Sequence, residues 1–353
     1  MWKLHRYYLK ELSINAGITF LVLFAVVLVS SVARGIQRSQ GGDMLDAALI
    51  TLFFALDSLP HLLAIAFLIA TVLTFTRAAQ DRELIAIRAA GIAPRVPLTA
   101  AMLLGIVLSV VGSFALHYVI PDVHYRKYRV IAEVVRNTFL NLNLGSDRIR
   151  LGDTGYVMTL RRREGADFLD CTLYSPRPMN RMESPIVHVE RVNFPLPDDA
   201  SDDISIVLEE VYDPIGGFKT AAIPISLSLY DIANRERRED NDADLRSDQL
   251  LAEVLRGVHL DPRAAVYTLF RRCCFALLPL LLAPIGFCIA EFARERGRVL
   301  ALVLALVPLA IFYVGEVLGA RLMQSTGMPW SSWMPALLLL AFGVPLCWRQ
   351  LRR

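Results

Sequence analysis

Arginine is the residue whose placement first suggests chemistry. Arg34 and Arg38 follow one long apolar stretch, Arg271 and Arg272 precede another, and Arg321 closes a third. A guanidinium is a planar fork that can donate two hydrogen bonds at once to a phosphate. Five of them at the ends of apolar stretches could hold a phosphorylated amphiphile, or could anchor in any phospholipid headgroup layer. Two acids, Asp57 and Glu316, fall inside apolar stretches, where an ionisable group raises a functional hypothesis by default. Both lie toward the end of their stretch, so hydration among headgroups explains them as well. His61 and His117 have no partner at a legible spacing, and the chain of groups that a proton relay would need is not visible.

Other chemistries find no motif. There is no GxxxxGK[ST] loop to cradle phosphates, and Gly216-Gly217-Phe218-Lys219-Thr220 lacks its spacing, so the chain is not expected to hydrolyse ATP itself. There is no HExxH and no GxSxG. Cys171, Cys273, Cys274, Cys288 and Cys347 show no CxxC or Cys/His spacing, and read as unpaired small apolar residues. The expectation is a chain without metal, without cofactor and without a nucleic-acid partner.

Hydropathy says what must position these groups. Of 353 residues 55% are hydrophobic, with mean hydropathy +0.45, and the excess is gathered in blocks long enough to cross roughly 30 Å of hydrocarbon. Six spans are expected, at about 14–33, 47–75, 97–120, 273–290, 299–322 and 333–348. Ser31-Val32-Ala33 resembles a signal-peptide cleavage site, but the apolar stretch before it exceeds the usual signal core, which favours a retained anchor. The second block is longer than a bilayer needs and is interrupted by Asp57 and Pro60. Its part at 44–58 is expected in the outer headgroup zone or lining a cavity. Pro121-Asp122 closes the third block.

Between the third and fourth blocks the composition becomes polar and mixed. Short runs at 156–160, 169–174, 186–194, 204–211 and 223–229 read as strands, the third partly alternating. Turn residues at 152–155 and 213–217 separate them, as in an antiparallel β sandwich or curved sheet. Helices are expected at 125–138 and 248–256, the latter between Ser247 as N-cap and Gly257 as stop. Residues 234–244, carrying both charge signs, read as a solvated linker. The resulting domains are 1–121, 122–268 and 269–353. Arg and Lys concentrate at the amino terminus, in 77–95, in 294–298 and at the carboxyl terminus, against only Arg34, Arg38 and Arg321 in the opposite short loops. Both termini are therefore expected in the cytoplasm and the large domain outside.

The loop 77–95 reads RAAQDRELIAIRAAGIAPR. It predicts a short helix over 82–90, capped by Asp81, ended by Gly91 and prevented from continuing by Pro94 and Pro97. Leu84, Ile87 and Arg88 would share a face. Such a helix beneath a membrane domain could dock a partner, its apolar residues filling a cleft while Glu83 and Arg88 fix register. It could also be a plain re-entry turn.

The same loop resembles the coupling segment of the LptF/LptG family, permease subunits of the lipopolysaccharide-export ABC transporter. The matching residues are Arg77, Asp81-Arg82-Glu83-Leu84 and Ala86-Ile87-Arg88-Ala89-Ala90-Gly91. Arg6-Tyr7-Tyr8-Leu9-Lys10-Glu11-Leu12 is similar to the family's opening. Leu59-Pro60, Pro121, Arg272, Pro279, Gly297-Arg298 and Trp333-Met334-Pro335 fall where family features do. Ala93-Pro94 departs from the family's Ser followed by a basic residue. The resemblance implies six transmembrane helices with an inserted periplasmic, jellyroll-like all-β domain. It implies a second permease subunit of the same family, a cytoplasmic ATPase dimer, periplasmic bridge proteins and lipopolysaccharide as cargo. ATPase coupling would fall to Asp81, Arg82, Glu83, Leu84, Ile87, Arg88 and Gly91. In the family lipid access involves the first and fifth spans, which favours Arg34, Arg38 and Arg321 over Arg271 and Arg272 as cargo ligands. The rival readings are an exporter of lipoproteins or peptides, a membrane-embedded lipid-modifying enzyme and a structural scaffold.

Overall fold

The computed structural model describes residues 2–39, 44–93, 95–127, 130, 149–150, 157–159, 161–164, 167–174, 185–193, 203–212, 219–228, 242–294 and 296–351. The expected turns at 152–155 and 213–217, most of the linker and nearly all of the helical extension beyond 127 lie outside the described residues. Contacts divide the chain into two units: Met1–Ser31, Phe53–Tyr125 and Asn241–Arg353 form the first, Val32–Leu52 and Arg126–Asp240 the second.

Among the described residues six helical segments are long and apolar enough to cross a membrane: Trp2–Ile36, Leu59–Gln80, Val96–Lys127, Pro262–Phe292, Arg298–Thr326 and Pro329–Arg349. The first is part of α1, Trp2–Ser39. It starts well before the apolar block because residues 2–13 contain neither Gly nor Pro to stop a helix. The long second block is two helices, α2 (Met44–Asp57) and α3 (Leu59–Gln80). They part at Ser58, and Pro60 sits in the first turn of α3, where its missing N–H costs nothing. After the short α4 (Glu83–Ala89) comes α5, Arg95–Phe114.

Pro121 does not end the third span. A π-helical turn, Ala115–Val119, follows α5, and helix resumes through Lys127. A proline in a helix lacks an N–H and presses on the carbonyl four residues back. The widened turn ends just before Pro121 and gives it that room.

In the last third α6 is Ser247–Arg256 and α7 is Pro262–Ala276. The fourth span thus begins eleven residues before the apolar block. Asp261 sets that start: its carboxylate accepts from the N–H groups of Arg263 (3.0 Å) and Ala264 (3.2 Å), and Pro262 takes the first helical position. A break at Leu277 separates α7 from α8, Leu278–Phe292. Then come α9 (Arg298–Thr326), a 3-10 turn (Pro329–Trp333) and α10 (Met334–Leu351).

The first unit is built around α3 and α8. About three-quarters of the apolar stretch of α3 is buried (72%), against 6% for α1. Tyr8, Phe75 and Phe287 form an aromatic row joining α1, α3 and α8, with ring centroids 5.7 and 4.9 Å apart. The tightest approach is on α9. A Cβ on Gly315 would lie 2.6 Å from Pro335 Cα, and one on Gly319 would lie 2.5 Å from the Ser331 carbonyl oxygen. This small-xxx-small spacing lets α9 press against the turn that opens the sixth span.

The second unit contains an antiparallel sheet: β1 (Ile149–Arg150), β2 (Val157–Thr159), β3 (Arg162–Glu164), β4 (Asp167–Tyr174), β5 (Ile186–Asn193), β6 (Asp203–Tyr212) and β7 (Lys219–Ser228). The order is β1-β2-β4-β5-β6-β7, with β3 paired to β4. Five strands fall where sequence runs predicted them, and the two- and three-residue β1 and β3 are additional. On β5, Val187 and Val189 are buried while His188 and Glu190 are exposed, but Arg191 is exposed too and Val192 is buried. That phase shift coincides with left-handed residues on both flanking strands, Asp170 (φ 56°) and Glu210 (φ 54°). The pairing of β5 is interrupted at Glu190 on both sides, opposite those two residues, so its alternation is only partial.

Candidate functional site

The loop 77–95 is the first candidate. The structure gives its helix a different start from the one expected. Asp81 closes α3, its N–H donating to the Arg77 carbonyl at 2.9 Å, and does not take the N-cap position of α4. Arg82 makes the turn instead, in a left-handed conformation (φ 59°) with no side-chain capping bond. The end is as expected: Gly91 (φ 71°) and Ile92 donate to the carbonyls of Arg88 (3.0 Å) and Ile87 (3.1 Å), the paired bonds of a Schellman stop.

Which way the helix faces is the larger finding. Leu84 and Ile87 are buried in this chain's own core beside Phe75, Ala78, Ala79 and Phe287. Glu83 accepts hydrogen bonds from the hydroxyls of Tyr8 (3.1 Å) and Tyr7 (3.4 Å) on α1. Arg88 pairs with Glu291 at the end of α8. These four residues therefore fasten α4 to its own bundle. The outward row consists of Arg82, Ile85, Ala86, Ala89 and Ala90, with Ile85 45% exposed.

The arginines part company in the same way. Arg272 is buried and donates to the carbonyl oxygens of Asp242 (2.8 Å), Ala243 (3.3 Å) and Leu245 (3.0 Å) and to Ser247 Oγ (2.8 Å). Both of its terminal nitrogens are committed inside the protein. Arg271 lies over the Phe275 ring and pairs with Glu316, Nε to carboxylate 3.0 Å. Arg321 is exposed on α9 and makes none of the hydrogen bonds or ion pairs among the described residues. Arg34 is exposed on the part of α1 that belongs to the second unit. The side chain of Arg38 lies outside the described residues.

Arg272 belongs to a latch. Asp122 holds Arg246 through two bonds (2.9 and 2.5 Å), His124 bonds Asp244, and His259 bonds Asp242 at 2.8 Å. His117, on the π-helical turn, bonds Ser247 Oγ at 2.6 Å. The described end of the expected linker is thus fixed rather than solvated. Burial pushes the Asp242 carboxyl above its ordinary range, while the His259 contact pulls the other way. Arg246, not Ser247, takes the N-cap position of α6, its N–H donating to Gln249 Oε1 at 3.3 Å, while the Ser247 hydroxyl bonds Arg272 and His117. Gly257 ends α6 in the left-handed conformation expected of a stop.

Beside the latch is a cavity of about 300 Å³, lined by Asp57, His61, His124, Thr268, Arg271 and Phe275 among others. His61 stands edge-on to Phe275 at 4.6 Å, and its buried Nδ1 has no partner among the described residues. Spacing along the chain gave no sign of this grouping, because its members come from α2, α3, the helical stretch that follows the π-helical turn, and α7. No metal-holding cluster of His, Cys, Asp and Glu occurs among the described residues.

Six candidate spans with a β-rich unit inserted between the third and fourth define a multi-pass membrane protein. The family of the lipopolysaccharide export system permease LptF/LptG matches residues 6–349, nearly the whole chain, and the chain belongs to that family. It is a lipopolysaccharide-export permease by family, a transporter component and not an enzyme. No curated protein matches the chain.

Proposed function

We propose that this chain is one half of the permease in an ABC transporter. With a second subunit of the same family it extracts lipopolysaccharide from the inner membrane and passes it to periplasmic bridge proteins, driven by a cytoplasmic ATPase dimer. Both termini and the loop 77–95 face the cytoplasm, as the Arg/Lys bias of the short loops favours. The β unit, jellyroll-like in kind, is periplasmic.

The observation that carries this reading is the outward row of α4. It offers an exposed Ile85 among alanines, with Arg82 beside it, a small apolar knob of the kind that fills a partner's cleft. The test is co-purification with the ATPase in mild detergent. Ile85→Asp places an unpaired charge in that contact and is expected to weaken association at least tenfold, as burial of such a charge typically costs several kcal/mol. Wild-type association from the Ile85→Asp chain would remove α4 from the interface.

A further inference from the structure

The first span is loosely held by the first unit. Its apolar stretch is only 6% buried, and its fully buried large side chains, Tyr8 and Leu12, both lie near its amino end. Close by, Asn15 Nδ2 donates to Thr74 Oγ1 of α3 at 2.7 Å. The segment that secures α1 is therefore the segment that touches α4 and the end of α3. Tyr8 and Tyr7 both donate to Glu83. Arg77 donates to Tyr7 Oη at 3.0 Å and to Glu11 at 2.9 Å, and lies 3.7 Å from both Asp81 and Glu83. Tyr7, Tyr8 and Glu11 of α1, Arg77 of α3 and Glu83 of α4 thus close one network, with Asp81 at its edge, and Tyr8 is wedged into the core beside Phe75.

We propose that the network Tyr7–Tyr8–Glu11–Arg77–Glu83 transmits movement of the docking helix α4 to α1. Glu83 and Arg77 are positioning residues here: they act on the first span and touch no cargo. This rests on the reading that the ATPase docks at the loop 77–95.

Geometry gives the link leverage. With Asn15–Thr74 as fulcrum, Tyr8 is seven residues to one side and Ser31 sixteen to the other. At 1.5 Å per residue the arms are roughly 10 and 24 Å, so a 1 Å push at Tyr8 becomes roughly 2 Å at Ser31. Little packing opposes that swing over residues 16–30, none of which is buried; among the described residues α1 is buried again only at Ser31 and Gly35. Interfaces of this kind convert small shifts at an effector site into larger motions.

The experiment uses the full complex with its ATPase, spin-labelled at Val22→Cys on α1 and Val110→Cys on α5, both exposed sites. The label-to-label distance is compared without nucleotide and after trapping with ATP and vanadate. In the Tyr7→Phe/Tyr8→Phe chain both rings remain and both hydroxyls are lost. Its ATPase association should stay within about twofold of wild type, while the nucleotide-dependent distance change falls by at least half and export falls about tenfold. Glu83→Gln, which still accepts from the tyrosines, should restore more of the distance change than Glu83→Ala. It also serves if the double variant folds poorly. A full distance change in the Phe pair, with association intact, overturns the network. Failure of Ile85→Asp to weaken association overturns the docking reading instead, and with it the route from nucleotide to α1.

Discussion

Arg272 is the arginine whose role in holding the fold is most open to measurement. It makes four hydrogen bonds, three of them to carbonyl oxygens of residues 242–245, and only 8% of it is exposed. Arg272→Gln keeps a shorter polar side chain that can reach at most one of those acceptors. Hydrogen bonds to a charged group are worth about 1.5–3 kcal/mol each, and the stranded carbonyls rehydrate only in part. A loss of roughly 3–5 kcal/mol follows, in the range for removing one member of a buried charged network. At 2–4 °C per kcal/mol this lowers the melting temperature by on the order of 10 °C. Arg272→Lys, with three donors and the charge retained, should lose about half as much. Thermal unfolding in detergent gives the first number, and hydrogen exchange at the amides of 242–250 should rise in parallel. If Arg272→Gln melts within 2 °C of wild type and exchange at those amides is unchanged, the latch is not held by Arg272. A variant that instead lost lipopolysaccharide crosslinking at full stability would return Arg272 to the cargo.

The remaining predictions concern other parts of the chain. Gly315→Leu and Gly319→Leu place atoms inside the Pro335 and Ser331 backbone and should cut the yield of folded protein severely. Gly17→Leu, with nothing within 4 Å, should not, as size-exclusion profiles would record. The Cys171 thiol is pushed up to about 12 by burial, with Asp170 adding to the effect. It should therefore resist maleimide at pH 8 until the protein is denatured, and rapid labelling of the folded chain would contradict its placement. The sign of its linkage is fixed: the folded state keeps a proton that the unfolded thiol loses near pH 9, so this contribution to stability declines as pH rises from about 9 toward 12. Photocrosslinkers at Arg34 and Arg321 should capture lipopolysaccharide, and the paired Arg→Gln variant should export more slowly. Normal export without adducts would reduce both to interfacial anchors.

What could be read from sequence divides along a physical line. A bilayer imposes length and hydropathy, so six spans are visible, but helix ends answer to caps. Asp261-Pro262 starts α7 far outside the apolar block, and α1 begins at Trp2 because nothing in its basic stretch stops it. Alternation reveals β5, and the left-handed Asp170 and Glu210 that interrupt it leave no mark in hydropathy. In the loop 77–95, Gly91 announces its turn. The i, i+3, i+4 rule states which residues of α4 share a face, yet not which body that face meets. Leu84 and Ile87 turned out to meet the chain's own core.

The arginines carry the same lesson further. Hydropathy gives the depth of a guanidinium and says nothing of what will satisfy its five N–H groups, and at headgroup depth lipid phosphates and backbone carbonyls compete for them. The outcome depends on whether a stretch of chain with unpaired carbonyls passes at that depth. Residues 242–245 pass beside Arg272 just before α6 begins, where no helix yet uses their oxygens, and Arg272 is claimed. Arg271, one residue away and about 100° around the helix, misses that segment and meets Glu316 instead. Arg321, at the far end of α9, meets neither among the described residues. By this reasoning its donors are left over among the described residues, and Arg321 is the first position at which to test for a phosphate-bearing lipid.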